Sequence, residues 1–364
     1  MYDLAVREAD WVLADSLIRR KFKQEVPFGD RALFAFVRGD SAAGARILAE
    51  APQVAGRKGR RLRSADLEAG RWLAIYLENL PTSEQFVRLS ANPVQDVALQ
   101  SSAHLALGSL ALAGGRWTAA KAEFAAAERL GQTDSARVSR GLGAILPFLD
   151  IPRSDLEAIR SEIEQWEPGE DLPDAPTGPA RALRPHLRLY LLGMLSSRLG
   201  AATAALRGAA ELERLSPPPD AHALVRGFAR TVRADVAWRS GHAAEALAAL
   251  EEVRSEVSLE LIGLPAFSEE HARYLRAQVL HQQGRDEEAL RWLEAGFQGT
   301  PNELVYLAPA HLLRGEIYDR LGDKKQAVEQ YSRFVRLWRD CDPAQGTIVE
   351  GAKTQLGRLV GEPR

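Results

Sequence analysis

The sequence predicts an all-α fold in which antiparallel helix pairs stack into a superhelix, a solenoid of about seven pairs. Ala and Leu are abundant, and the hairpin dipeptides Asn-Gly and Asp-Gly are absent, which argues against β-structure. A fixed spacing of small residues recurs along the 364-residue chain. Hydrophobic residues make up 46% of the chain, so it can bury a large core and is not intrinsically disordered.

The recurring unit is seen most clearly where Gly108 is followed by Gly115, Ala120 and Phe124. The same offsets return at Gly193, Gly200, Ala205 and Ala209; at Ala234, Gly241, Ala246 and Leu250; at Ala277, Gly284, Ala289 and Leu293; and at Gly315, Gly322, Ala327 and Tyr331. Two helices can cross closely only where their side chains are small, so the first and third members are predicted at the crossings. The second member, a glycine, is predicted to end the first helix of each pair.

At these positions the chain resembles the tetratricopeptide repeat (TPR) family. The resemblance implies helix pairs whose first helices line a concave face. Residues 100–360, including "PHLRLYLLGMLSSRLG", are similar to the TPR regions of some bacterial serine/threonine kinases and large transcriptional regulators. That similarity implies a signal-input or partner-docking region, and it leaves open whether the chain is a fragment of such a protein or a stand-alone relative.

Three regions are predicted along the chain. Residues 1–166 form N-terminal helical repeats that are partly degenerate, because the pairs near 64–91 and 134–166 lack the turn glycine. Residues 167–185 hold five prolines and read as a linker or loop. Residues 186–364 form the C-terminal TPR array. It ends in a capping helix with apolar residues at helical spacing, namely Ile348, Ala352, Leu356 and Leu359.

Charge and composition exclude several functions. The 47 basic and 49 acidic residues leave a net charge of -2, which argues against nucleic-acid binding. The basic run Arg57–Arg63 is interpreted as a solvated loop, with a phosphate or acidic-partner contact as the alternative. Charged residues in the first thirty positions and the lack of a long apolar run predict a cytoplasmic chain without membrane insertion.

Sequence motifs typical of enzymes and metal sites are also missing. No metalloprotease, hydrolase, nucleotide-binding or kinase motif occurs in the sequence. No two histidines are three or four residues apart, and Cys341 is the single cysteine. We therefore expect no enzyme activity, no cofactor and no metal site.

The first helices of the repeats are expected to present a partner groove on the concave face. Its candidate residues are Tyr190, Met194, Arg198, Phe228, Trp238, Arg239, His271, Tyr274, Gln278, His281, Glu316 and Arg320. Aromatic and Arg side chains suit peptide binding because they give large contact area at low entropic cost. The alternative is that residues such as Tyr190 and Trp238 simply pack within the stack.

The sequence thus predicts a non-catalytic interaction scaffold whose groove receives a peptide or helix from another protein, and leaves open a role within a larger complex. The alternative is a regulatory sensor that binds a small ligand and controls an attached or separate signalling effector, a kinase or transcription regulator.

Overall fold

The computed structural model describes residues 10–21, 28–55, 62, 64–168, 182–251, 264, 266, 269–294, 297 and 301–361. Within these ranges the chain forms eighteen α-helices, three short 3-10 helices and no strand. The all-α prediction is confirmed.

The N-terminal helices are α1 (Trp11–Lys21), α2 (Phe28–Val37), α3 (Ser41–Ala55), α4 (Ser64–Leu77), α5 (Leu80–Ser90), α6 (Val97–Ala113), α7 (Trp117–Arg129), α8 (Thr133–Ala144) and α9 (Arg153–Glu164). The C-terminal helices are α10 (Arg184–Arg198), α11 (Ala202–Arg214), α12 (His222–Arg239), α13 (Ala243–Glu251), α14 (Glu270–Gln282), α15 (Asp286–Glu294), α16 (Leu304–Leu321), α17 (Lys324–Leu337) and α18 (Gly346–Gly361).

Contacts divide the chain into two compact units. Unit 1 comprises Met1–Gly114 and Thr118–Ala136, and unit 2 comprises Gly115–Trp117 and Arg137–Arg364. In unit 1, α2 packs on α3 and α4, and α4 packs on α5 and α6. Unit 1 therefore consists of helix pairs in which each pair packs on the next along the chain.

Unit 2 is a two-layered helical stack. Its inner layer consists of α10, α12, α14 and α16, each of which packs on the next. The partner helices α11, α13, α15 and α17 form the outer layer, and α18 packs on α17 at the end of the stack. Each helix pair buries its apolar side against the next pair, which is how a solenoid forms one continuous core.

The crossing points have the small residues that the sequence predicts. A Cβ added at Gly315 would lie 2.8 Å from Tyr331 Cδ1, inside the normal contact distance. The crossing alanines on the second helices of the five repeats named above are fully buried: Ala120, Ala205, Ala246, Ala289 and Ala327 all have 0% exposure. Larger side chains at these positions would push the helices apart.

The predicted turn glycines also adopt the backbone conformation that ends a helix. Gly115, Gly200, Gly241, Gly284 and Gly322 all have positive φ, between 70° and 81°. At Gly322 the N–H groups of the turn return to the carbonyls of α16, with Gly322 N 3.1 Å from Asp319 O and Asp323 N 2.9 Å from Tyr318 O. Asp323 then begins α17 by accepting a hydrogen bond from Gln326 N at 3.0 Å.

The predicted linker 167–185 lies largely outside the described residues, as 169–181 are not described. Within unit 2, helix α9 before this segment packs on α10 after it. Arg188 of α10 donates to the carbonyl oxygen of Ile163, 3.1 Å away, and to that of Glu164. The repeats on either side of the predicted linker are therefore in direct contact.

The capping helix is present as α18. Its buried residues are Val349, Ala352 and Leu359, while Ile348 and Leu356 are half-buried. Arg358 joins it to the last repeat through Asp319 Oδ1 of α16, at 2.7 Å from Arg358 Nη2.

Candidate partner-binding face

The inner layer of unit 2 carries all twelve predicted groove residues. Five of them are buried: Tyr190, Met194, Phe228, His271 and Tyr274. Tyr190 stacks on Phe228 of the next repeat, with ring centroids 4.5 Å apart. These five side chains hold the stack together, so they are not available to a partner in this conformation.

A segment of the chain itself lies against the inner layer. Residues 145–152 connect α8 to α9, and Ile145, Leu146, Leu149 and Ile151 in this segment are buried. The Phe148 ring meets the rings of Tyr274 at 5.5 Å, Tyr306 at 5.4 Å and Trp338 at 6.3 Å. This part of the predicted groove is therefore filled by the connecting segment.

Arg198 holds the start of the connecting segment. Its Nη1 donates to the carbonyl oxygens of Ala144 at 2.6 Å and Leu146 at 2.5 Å, and its Nη2 donates to that of Leu149. Burial and the nearby charge of Arg239 lower the pKa of Arg198 to about 10, so it stays charged at neutral pH. Arg198 is thus a predicted groove residue whose observed contacts are within the fold.

A buried polar network links the four inner helices. Asp235 of α12 accepts from Ser197 Oγ of α10 at 2.6 Å and from Arg239 Nε at 2.8 Å. Its Oδ1 lies 3.9 Å from His271 Nε2 of α14, and His271 Nδ1 lies 3.1 Å from the Tyr306 hydroxyl of α16.

The charge of Asp235 is set by this network. Burial raises its pKa, but the contact with His271 and the charge of Arg239 outweigh burial and lower the pKa to about 2. The carboxylate therefore stays ionised through the neutral and mildly acidic range. With a proton on Nε2, His271 faces the carboxylate while Nδ1 accepts from Tyr306.

An open cleft remains at the C-terminal end of the stack. We call it the cap cleft; its volume is about 670 Å³, and its lining residues are Leu312, Glu316, Asp319, Arg320, Tyr331, Ile348, Gly351, Ala352 and Gln355. Helix α16 supplies one wall and the capping helix α18 the other. The two predicted groove residues of α16, Glu316 and Arg320, both lie in this wall.

Arg320 is engaged at the rim of the cap cleft. Its Nε donates to Asp286 Oδ2 at 2.5 Å, and its Nη2 donates to the carbonyl oxygen of His281. His281 Nδ1 also lies 2.7 Å from Asp286 Oδ1. These contacts tie α16 to the preceding helix pair and engage the guanidinium of Arg320.

The remaining predicted groove residues are partly accessible. Trp238 and Gln278 are half-buried, and Arg239 is exposed beside Asp235. None of them lines the cap cleft.

Within the described ranges, no helix is both long and apolar enough to cross a membrane, and no three His, Cys, Asp or Glu side chains are grouped to hold a metal ion. Burial raises the pKa of the half-buried Cys341 thiol, which makes it a poor nucleophile. The basic run Arg57–Arg63 lies outside the described residues except for Leu62.

Comparison with known proteins supports the repeat at the end of the stack. The tetratricopeptide repeat family model matches residues 308–340, which span most of α16 and all of α17. No curated protein sequence matches the chain at a significant level. The resemblance to the repeat regions of bacterial serine/threonine kinases and large transcriptional regulators stays a prediction.

Among solved structures, the chain is similar to the apo form of the quorum sensor NprR from B. thuringiensis. The TM-score is 0.36 at 13% sequence identity, and the match covers 94% of this chain and 100% of that one. A likeness this distant says nothing about what the chain binds.

Proposed function

We propose that this protein is a non-catalytic helical-repeat interaction module whose cap cleft receives a short peptide or helix from another protein. The observation that carries this proposal is the open cleft of about 670 Å³ between α16 and α18. Further along the inner layer, the connecting segment 145–152 occupies the surface that a partner would need. The cap cleft is therefore a part of the predicted groove that has room for a partner.

The chemistry of the cap cleft suits a protein segment. Leu312, Ile348 and Ala352 give it apolar walls, and Glu316 and Gln355 are exposed polar groups along it. Apolar walls with a few polar groups supply both contact area and orientation for a bound side chain. A helix or strand of a partner can place side chains into such a cleft without a chemical step, and no enzyme family is indicated by the comparisons.

A regulatory sensor for a small ligand is the second candidate. The cleft volume of about 670 Å³ falls within the range of small-molecule sites, roughly 300–1,000 Å³. A ligand that contacts both walls would change how α18 sits on the last repeat and so report its presence to an effector.

Two glycines of α18 provide a matched test. A Cβ at Gly351 or at Gly357 meets no atom within 4 Å, but only Gly351 lines the cleft. Gly351→Phe should fill the cleft without overpacking the core, whereas Gly357→Phe should leave the cleft open. A photo-crosslinking residue at Gln355 would then report the occupant.

We expect a protein adduct in the unmodified background and in Gly357→Phe, and its loss in Gly351→Phe. A melting shift with a small metabolite, abolished by Gly351→Phe and without a protein adduct, would favour the sensor. Adducts of equal yield in both glycine variants, or no adduct and no melting shift at all, would contradict binding at the cap cleft.

A further inference from the structure

Of the three charged residues that line the cap cleft, Asp319 and Arg320 form ion pairs and Glu316 does not. Asp319 accepts from Arg358, with Oδ1 2.7 Å from Nη2, and Arg320 donates to Asp286 outside the cleft. Glu316 has no hydrogen bond or ion pair with any residue that the structure describes. The cleft therefore presents one exposed carboxylate whose charge is not balanced by a bound neighbour.

Glu316 lacks an ion pair although a basic residue lies close to it on the same helix. Arg320 lies one helical turn further along α16, the spacing at which an acid and a base ordinarily pair. Arg320 instead turns toward Asp286, and His281 holds the same carboxylate from the other side. Arg320 is therefore paired with Asp286, and the Glu316 carboxylate can meet an incoming cation.

The electrostatics around Glu316 favour a positive ligand. Partial burial raises the pKa of Glu316, with His281 acting in the opposite direction. Burial and the charges of Glu316 and Asp319 raise the pKa of the Tyr331 hydroxyl, while the charge of Arg358 acts in the opposite direction. Both carboxylates therefore act on the same part of the cleft. An acidic group placed here would be repelled, and a cation would relieve the repulsion.

The walls beside Glu316 select the shape of that cation. Leu312, Ile348 and Ala352 offer apolar surface next to the carboxylate. Lys and Arg combine a long aliphatic stem with a charged end and bury the stem along apolar surface.

We propose that the cap cleft binds an arginine or lysine side chain of the partner segment, with its stem along Leu312, Ile348 and Ala352 and its charged group at Glu316. This inference rests on the proposed function, because it names the anchor residue of the same partner. A basic side chain is favoured at this position because its charge complements the Glu316 carboxylate.

The test is a selection of displayed random peptides on the full chain, with Gly351→Phe as the counter-target so that cleft binders are retained. We expect the selected peptides to share an Arg or Lys at one position. Synthetic copies should lose binding when that residue becomes norleucine, which keeps the stem and removes the charge.

Charge variants of the protein complete the test. Glu316→Gln should weaken binding of the selected peptides roughly tenfold or more, since a charge-assisted hydrogen bond is lost. Glu316→Lys should select peptides with Asp or Glu at the anchor position. Glu329→Gln, an exposed glutamate of α17 paired with Arg333, should leave their affinity unchanged.

The outcomes separate the two proposals. If peptides are blocked by Gly351→Phe but lack a shared basic residue and bind Glu316→Gln equally well, the basic anchor is wrong and the proposed function stands. If no peptide distinguishes the unmodified chain from Gly351→Phe, the proposed function fails and the basic anchor fails with it.

Discussion

Gln345 pairs with both backbone groups of Asp150, a residue 195 positions earlier in the chain. Its Nε2 donates to the carbonyl oxygen of Asp150 at 2.9 Å, and its Oε1 accepts from the Asp150 N–H at 2.9 Å. Gln345 is completely buried, just before the capping helix. The pair therefore fixes the end of the connecting segment 145–152 to the last part of the stack, while Arg198 fixes its start.

We expect Gln345→Ala to lower the free energy of unfolding by about 2–4 kcal/mol, because two backbone groups of Asp150 lose their partner. Urea denaturation measures this change. Gln282→Ala, at an exposed position near the end of α14, is the control and should have little effect. Equal stability of the two variants would show that the pair does not hold the segment.

Arg198→Lys tests the other end of the connecting segment. Lysine keeps the charge, but its ammonium group cannot bridge three carbonyl oxygens as the guanidinium does, so we expect a loss of about 2–4 kcal/mol. Arg207→Lys, at an exposed position on α11, is the matched control. If Arg198→Lys weakened peptide binding and left the melting temperature unchanged, Arg198 would be a binding residue as the sequence predicts.

Ala327→Leu tests the helix crossing of the last repeat. Ala327 is fully buried on α17, which packs on α16, so the three carbon atoms that leucine adds should overpack the crossing and cost about 1–3 kcal/mol. Thermal melting measures the loss, and Ala248→Leu at an exposed position of α13 is the control. A melting temperature unaffected by Ala327→Leu would contradict tight packing at this crossing.

Glu269 should make stability depend on pH. Burial, with the charge of Glu270, raises its pKa from 4.5 to about 8 despite the lowering effect of Arg273. Between these pH values the unfolded chain has released the proton and the folded chain has not, so the free energy of unfolding falls as pH rises. Above the folded pKa the loss is complete.

Glu269→Gln removes this titration and keeps a neutral polar group of similar shape. We expect the variant to be more stable than the unmodified chain by about 3–5 kcal/mol at pH 8, with the difference vanishing near pH 4.5. Melting temperatures across pH 4.5–8 give the comparison, with Glu287→Gln on the exposed side of α15 as control. A pH-independent difference would refute the titration of Glu269.

The helix pairs could be predicted from the sequence because their cause is local. A small residue, a turn glycine and a second small residue lie within one hairpin, and Gly315, Gly322 and Ala327 each occupy the predicted place. For the cap cleft, helical periodicity predicts only that Glu316 and Arg320 lie on the concave face, and both residues line the cleft.

The filled part of the groove could not be predicted in the same way. Inward-facing positions such as Tyr274 are set by helical periodicity, but periodicity does not reveal that Phe148 covers them from a distant part of the chain. One signal was present. "ILPFLDIP" is an apolar stretch with Pro147 and Pro152 between two helices, and it has no turn glycine. Such a stretch is too apolar for an exposed loop.

The polar network through Asp235 has a consequence for how unit 2 unfolds. Repeat arrays held only by neighbour contacts can fray one repeat at a time from an end. Here, detaching α10 would break the hydrogen bond between Ser197 and Asp235, and detaching α14 would break the contact of Asp235 with His271, in addition to the apolar contacts of each repeat. We therefore expect the repeats from α10 to α16 to melt in a single cooperative transition, with matching hydrogen-exchange protection across all four inner helices.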